Sequence, residues 1–127
     1  MTSWSQEDLR RIEQTDDLHI SPYRADGVTP GTPTWIWSVV VDSALYVRAY
    51  NGTASRWHQA ALSQRAGRIR AAGGEWEVAF EPVDGPVDGT VQEAIDGAYR
   101  AKYADSPYLA PMISARARAA TVRVDPR

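Results

Sequence analysis

Arg48 and Arg56 flank a short polar loop, Asn51-Gly52-Thr53-Ala54-Ser55, that leads into a helix carrying Trp57. A guanidinium pairs bidentately with phosphate or carboxylate. The N–H groups at a helix start carry partial positive charge, so loop and arginines together make a seat for an anion. The same loop also reads as the plain exit of a hairpin, with Ser55 as an ordinary helix cap. Trp35 and Trp37 stand just upstream, spaced to share one face of a strand. Rings placed so can stack on a flat ligand. Burial in a strand core is the competing use, and at least one of the pair is expected there. The candidates for binding a flat, anionic ligand are Trp35, Trp37, Arg48, Tyr50, Asn51, Gly52, Ser55, Arg56 and Trp57.

Other reactive side chains form weaker sets. His19 and His58 are the only histidines and lack the close spacing of a metal motif, so no metal site is expected. His58 reads as a helix-face residue near the pocket, with no carboxylate to orient it as a base. Glu75, Glu77 and Glu81 alternate on one strand and read as a solvated face. Tyr99, Lys102, Tyr103 and Tyr108 gather near the end of a long helix, lining either a pocket or a subunit interface. No nucleophile elbow, P-loop or dinucleotide fingerprint is present, and no catalytic residue is singled out.

These residues are positioned by a simple run of elements. Residues 5–16 read as a helix, with Ser5 as cap and Trp4 stapled on Leu9. Residues 18–23 form a short strand, and residues 25–33 a Gly/Pro loop. Residues 34–41 and 44–50 form a hairpin around Asp42-Ser43. Trp35, Trp37, Val39 and Val41 share one face of its first strand, and Ile36, Ser38 and Val40 the other. Both faces are largely apolar, which predicts a central strand. A helix over residues 55–64 follows, then a hairpin over 67–72 and 75–82 turning at Gly73-Gly74. Residues 84–89 read as a loop. Thr90 caps the strongest helix in a box with Glu93, and Val91, Ala94, Ile95, Ala98 and Tyr99 form its apolar stripe. Residues 106–115 are irregular or a short helix, and 119–124 the last strand. The strands are joined too tightly to be parallel. The expected class is α+β, a mainly antiparallel barrel of about six strands with three or four helices in its connections.

The totals fit one domain over residues 1–127. A net charge of −2 gives no pull toward nucleic acid or anionic lipid. The chain has no cysteine, so it offers no disulfide, thiolate or iron–sulfur ligation. Its apolar runs are strand-length, and no signal peptide is evident, so a cytoplasmic protein without a membrane partner is expected.

The stretches Thr34-Trp35-Ile36-Trp37-Ser38-Val39-Val40-Val41, Tyr46-Val47-Arg48-Ala49-Tyr50-Asn51-Gly52, Lys102-Tyr103 and Ser106-Pro107-Tyr108 resemble an uncharacterised family catalogued as a domain of unknown function. Residues 27–82 also resemble the split β-barrel flavin- and deazaflavin-dependent nitroreductases. The resemblance implies a flavin-binding-like split β-barrel that forms a homodimer. It implies cofactor phosphate near Asn51, Gly52, Ser55, Arg56 and Trp57, with the ring system over the first hairpin. Flavin mononucleotide or the deazaflavin coenzyme would then transfer hydride to a small organic molecule, the protein supplying position and electrostatics. Residues 27–33 lack the lysines and arginines that the reductases carry there for the cofactor tail. A non-catalytic ligand-binding or sensor domain on the same fold, or a structural dimer, are the other readings.

Overall fold

The computed structural model describes residues 4–83 and 89–127; of the loop expected over residues 84–89, residues 84–88 lie outside them. Helix α1 (Gln6–Glu13) starts where Ser5 Oγ accepts the Asp8 N–H at 3.1 Å, with Glu7 and Asp8 in its first turn. Leu9 and Ile12 are its buried positions. Trp4 lies in the same cluster and donates from its indole to the Val124 carbonyl at 2.8 Å.

Among the described residues seven antiparallel strands follow: β1 (His19–Pro22), β2 (Thr34–Trp35), β3 (Ser38–Val41), β4 (Ala44–Arg48), β5 (Ala66–Ala71), β6 (Gly74–Pro82) and β7 (Thr121–Pro126). They form one sheet in the order β2-β1-β5-β6-β7-β4-β3. Strands β2 and β3 are its two edges, yet only Ile36 and Trp37 separate them in sequence. Chain reach holds Trp35 and Ser38 within about 11 Å of each other. The sheet must therefore curl until its edges approach, which gives a half-barrel roughly of the split-barrel kind.

Three expectations are corrected here. The first hairpin strand is broken into β2 and β3, which raises the strand count to seven. Strand β3 is an edge, not a centre. It is apolar on both faces because Val40 packs on the core inside the curl, while Val39 and Val41 meet the outer cluster of Ile95, Tyr99, Tyr103 and Met112. The second hairpin turns at Ala72-Gly73, since Ala71 pairs with Gly74. Both central residues have positive φ (51° and 79°), as do Asp42 and Ser43 in the first hairpin (50° and 64°). That is the geometry of two-residue loops whose twist matches the strands.

The inner core holds Ile12, Leu18, Ile20, Leu45, Val47, Ile69, Val78, Phe80, Val122 and Val124, drawn from α1, the residue before β1 and strands across the curl. Helix α2 (Arg56–Gln64) follows a short 3₁₀ turn (Gly52–Ala54). Helix α3 (Thr90–Lys102) covers the outside of β3, followed by short helices α4 (Leu109–Met112) and α5 (Ala115–Arg118). Gly89, not Thr90, is the cap residue of α3, and no side chain completes the expected box. Its buried face is also rotated. Val91 and Ala94 are exposed, whereas Gln92, Ile95, Asp96 and Tyr99 are buried. Two polar residues sit inward because they receive a buried arginine. Among the described residues no helix is long and apolar enough to cross a membrane.

Candidate ligand-binding site

Strand β4 ends at Arg48, and the chain then turns through Tyr50, Asn51 and the 3₁₀ turn into α2. Opposite lie the Trp35–Trp37 kink between the sheet edges and the segment from Tyr103 to Met112. These parts enclose a pocket of about 830 Å³. Eight of the nine candidate residues line it: Trp35, Trp37, Arg48, Tyr50, Asn51, Ser55, Arg56 and Trp57. Gly52 does not. It is buried behind the wall, and its N–H is taken by the Ala49 carbonyl at 2.9 Å.

Arg48 reaches the floor with no donor left. Its guanidinium has five N–H groups. Nε donates to Thr121 Oγ1 at 3.1 Å. Nη1 donates to Asp96 Oδ1 at 2.6 Å and to the Met112 carbonyl at 3.0 Å. Nη2 donates to Gln92 Oε1 at 2.6 Å and to the Gln92 carbonyl at 3.3 Å. The other oxygen of Asp96 accepts Arg118. The guanidinium also lies over the Tyr99 ring, 5.3 Å from its centroid. The phosphate grip expected of Arg48 is thus replaced by an anchoring role. It ties β4 to α3, α4 and β7 beneath the pocket, and its charge is balanced by Asp96.

The two tryptophans part ways. Trp37 stacks flat on Tyr103, with centroids 3.9 Å apart and planes within 3°. One face of Trp37 is therefore already covered. Trp35 is 54% exposed, and its indole N–H is donated to the Asp16 carbonyl. The expectation that at least one of the pair is core applies to Trp37, which packs on the outer cluster.

At the open end, Tyr50 meets Tyr108 edge-on at 6.2 Å. Arg56 is exposed and, among the described residues, has no ion-pair partner. Ser55 is the cap residue of α2 by backbone angles, but its side chain makes no capping bond. The first-turn amides of α2 are thus left for a ligand or water.

The cluster near the end of α3 divides. Tyr103 and Tyr108 line the pocket, while Tyr99 is fully buried beneath it. The Tyr103 hydroxyl accepts the Ser38 N–H at 3.3 Å, and burial pushes its pKa up to about 12. Lys102 lies off the wall, donating to the Ser38 carbonyl at 2.8 Å. Burial lowers its pKa to about 8, against the pull of Asp16, Glu13 and Asp17. His58 is buried off the wall; its Nδ1 has no partner among the described residues, and burial lowers its pKa. Glu75, Glu77 and Glu81 are exposed and face Arg68 and Arg65.

Local reading missed Met112 and Ser106 on the wall, and Arg116 just off it, whose guanidinium lies 5.9 Å from the Tyr50 ring centroid. Arg116 carries no motif, and only the fold brings α5 beside Tyr50.

The wall as a whole offers ring faces from six aromatic residues, one unspent guanidinium and free helix-start amides. A profile for the family described as "Uncharacterized protein conserved in bacteria (DUF2255)" matches residues 8–124. No curated protein and no solved structure matches the chain. The chain belongs to that bacterial family.

Proposed function

We propose that this member of an uncharacterised bacterial family binds a flavin-type cofactor, flavin mononucleotide or the deazaflavin coenzyme, and serves the reduction of a small organic molecule. The observation that carries the reading is the pocket of about 830 Å³ walled by Trp35, Trp37, Tyr50, Trp57, Tyr103 and Tyr108 with Arg56 at its rim. That volume lies in the range of cofactor and small-molecule sites, roughly 300–1,000 Å³. Flat ring faces suit a conjugated ring system, and an unpaired guanidinium suits its phosphate.

Each residue then has a task. Trp35 and the uncovered face of Trp37 frame the ring. Asn51, Ser55, Arg56 and the first-turn amides of α2 face the anionic end. Arg48 holds the floor rigid through β4, α3 and β7. A bound flavin supplies hydride transfer; the chain supplies position, exclusion of water and charge. The protein is read as a cytoplasmic homodimer related to the split-barrel nitroreductases.

One observation favours a second reading, a ligand-binding or sensor domain without redox chemistry. The Tyr103 hydroxyl is engaged with the Ser38 backbone and Arg48 is fully paired, so neither offers a proton to a substrate.

The test is a visible spectrum of the purified protein and its melting temperature with each cofactor. A bound cofactor raises the melting temperature with concentration. No shift with either cofactor removes the redox reading.

A further inference from the structure

We propose that Arg116, which lies over the pocket-lining ring of Tyr50 from just outside the wall, is a second ligand-binding arginine that grips the ligand's anionic group together with Arg56. The pocket then takes a planar ring bearing a phosphate or carboxylate in preference to the bare ring. This rests on the pocket reading above and names a contact that reading lacks.

Three observations carry it. The Arg116 stem lies tightly against the turn that follows Tyr50: a Cβ built on Gly52 would come 2.6 Å from Arg116 Cγ and 3.3 Å from Cδ. Gly52, with φ of +75° and no side chain, is what lets the stem lie there. The guanidinium end reaches the Tyr50 ring, and Tyr50 lines the pocket beside Asn51 and Arg56. Finally, neither Arg116 nor Arg56 has a carboxylate partner among the described residues, whereas Arg48 and Arg118 are both bound to Asp96. An arginine held by stacking keeps its N–H edge open, and that edge matches phosphate and carboxylate oxygens. Helix α2, which carries Arg56, and helix α5, which carries Arg116, both pack on the 3₁₀ turn that follows Tyr50. Asp16 also lines the pocket, and its carbonyl accepts the Trp35 indole N–H, so a negatively charged residue stands on the Trp35 side and disfavours an anion there.

The test compares ligands that share a ring and differ in charge. Flavin mononucleotide, a 10-carboxymethyl flavin and riboflavin are titrated against wild type, Arg116→Gln and Arg56→Gln by fluorescence quenching. Wild type is expected to favour the charged flavins by about tenfold or more, and each substitution to remove about tenfold from them while leaving riboflavin within twofold. The two charged flavins tell phosphate from carboxylate recognition. Equal binding of charged and neutral flavins overturns the inference and leaves the flavin reading standing. The same proteins are titrated with 1-naphthyl phosphate and 1-naphthol. A preference for the phosphate that vanishes in Arg116→Gln upholds the inference even where no flavin binds, in which case the flavin reading alone fails. No preference, or no binding of either naphthyl compound together with no flavin binding, overturns the inference.

Discussion

Arg48 and Asp96 meet at 2.6 Å with both side chains shut away from water. Buried ion pairs of this kind contribute little relative to an apolar replacement of both partners, because desolvation offsets attraction. Their loss one partner at a time is another matter: without Asp96 the Arg48 charge is buried with no carboxylate, and without Arg48 the buried acceptors of Gln92, Met112 and Thr121 lose their donor while Asp96 keeps only Arg118. The pair thus makes the pocket floor depend on a contact between the end of β4 and the middle of α3.

Arg48→Met is expected to lower the unfolding free energy by about 3–5 kcal/mol. Arg48→Lys should restore little of it, because an ammonium cannot reach Thr121, Asp96, Met112 and Gln92 at once. Urea denaturation followed by tryptophan fluorescence reads both. A loss under about 1 kcal/mol for Arg48→Met would contradict the anchoring role.

Trp35→Ala separates binding from stability. The ring is more than half exposed and its single hydrogen bond goes to a backbone carbonyl. A stability change of at most about 1 kcal/mol is expected, with a clear loss of flavin affinity. Tyr103→Ala differs: it uncovers Trp37 and opens the outer cluster, so about 3 kcal/mol or more of stability should go with it. If both variants lose the same stability, the reading of Trp35 as wall alone and of Trp37 as packed on the outer cluster through Tyr103 is wrong.

Gly52→Ala places a side chain where φ is +75° and where Arg116 already lies. The left-handed backbone costs about 1–2 kcal/mol for a residue with a Cβ, and Arg116 must move as well. Thermal denaturation should show the loss. Binding of flavin mononucleotide should weaken more than that of riboflavin. A variant as stable as wild type would show that the turn relaxes freely.

Lys102 gives a pH dependence whose sign follows from burial. Its folded pKa is about 8 against an ordinary 10.5. Between these values the unfolded chain holds a proton that the folded chain has released. Stability therefore rises with pH from about 8 upward. The rise should end near pH 10, where unfolded tyrosines begin to ionise while Tyr103, with its pKa near 12, stays protonated. Lys102→Met should flatten the slope between pH 8 and 10, measured by denaturant midpoints. An unchanged slope would remove Lys102 as its source.

Local pattern was enough for most of the elements. Ser5 before an amphipathic run, the Asp42-Ser43 turn of the first hairpin and the long periodic stretch at 90–102 follow from backbone geometry and the period of apolar residues, both local properties. The same holds for the loop into α2, whose residues were recognisable as a group because they are contiguous. Pattern failed where burial depends on a distant partner. Gln92 and Asp96 fall outside the apolar stripe expected of α3, and only Arg48, arriving from β4, makes their burial possible. Both faces of β3 looked central because a helix covering an edge strand and a neighbouring strand leave the same apolar signature.

Composition, hairpins and helices were thus determined by the sequence alone, since each is set by contacts within a few residues. The tertiary structure decided which arginine is spent and which is free. Arg48 and Arg56 read alike as side chains beside a loop. Sheet curling brings α3 and β7 onto the first and leaves the second at the rim, and the same closure brings Arg116 beside Tyr50. A guanidinium's availability depends on which acceptors surround it, and those come from segments that chain folding alone brings together.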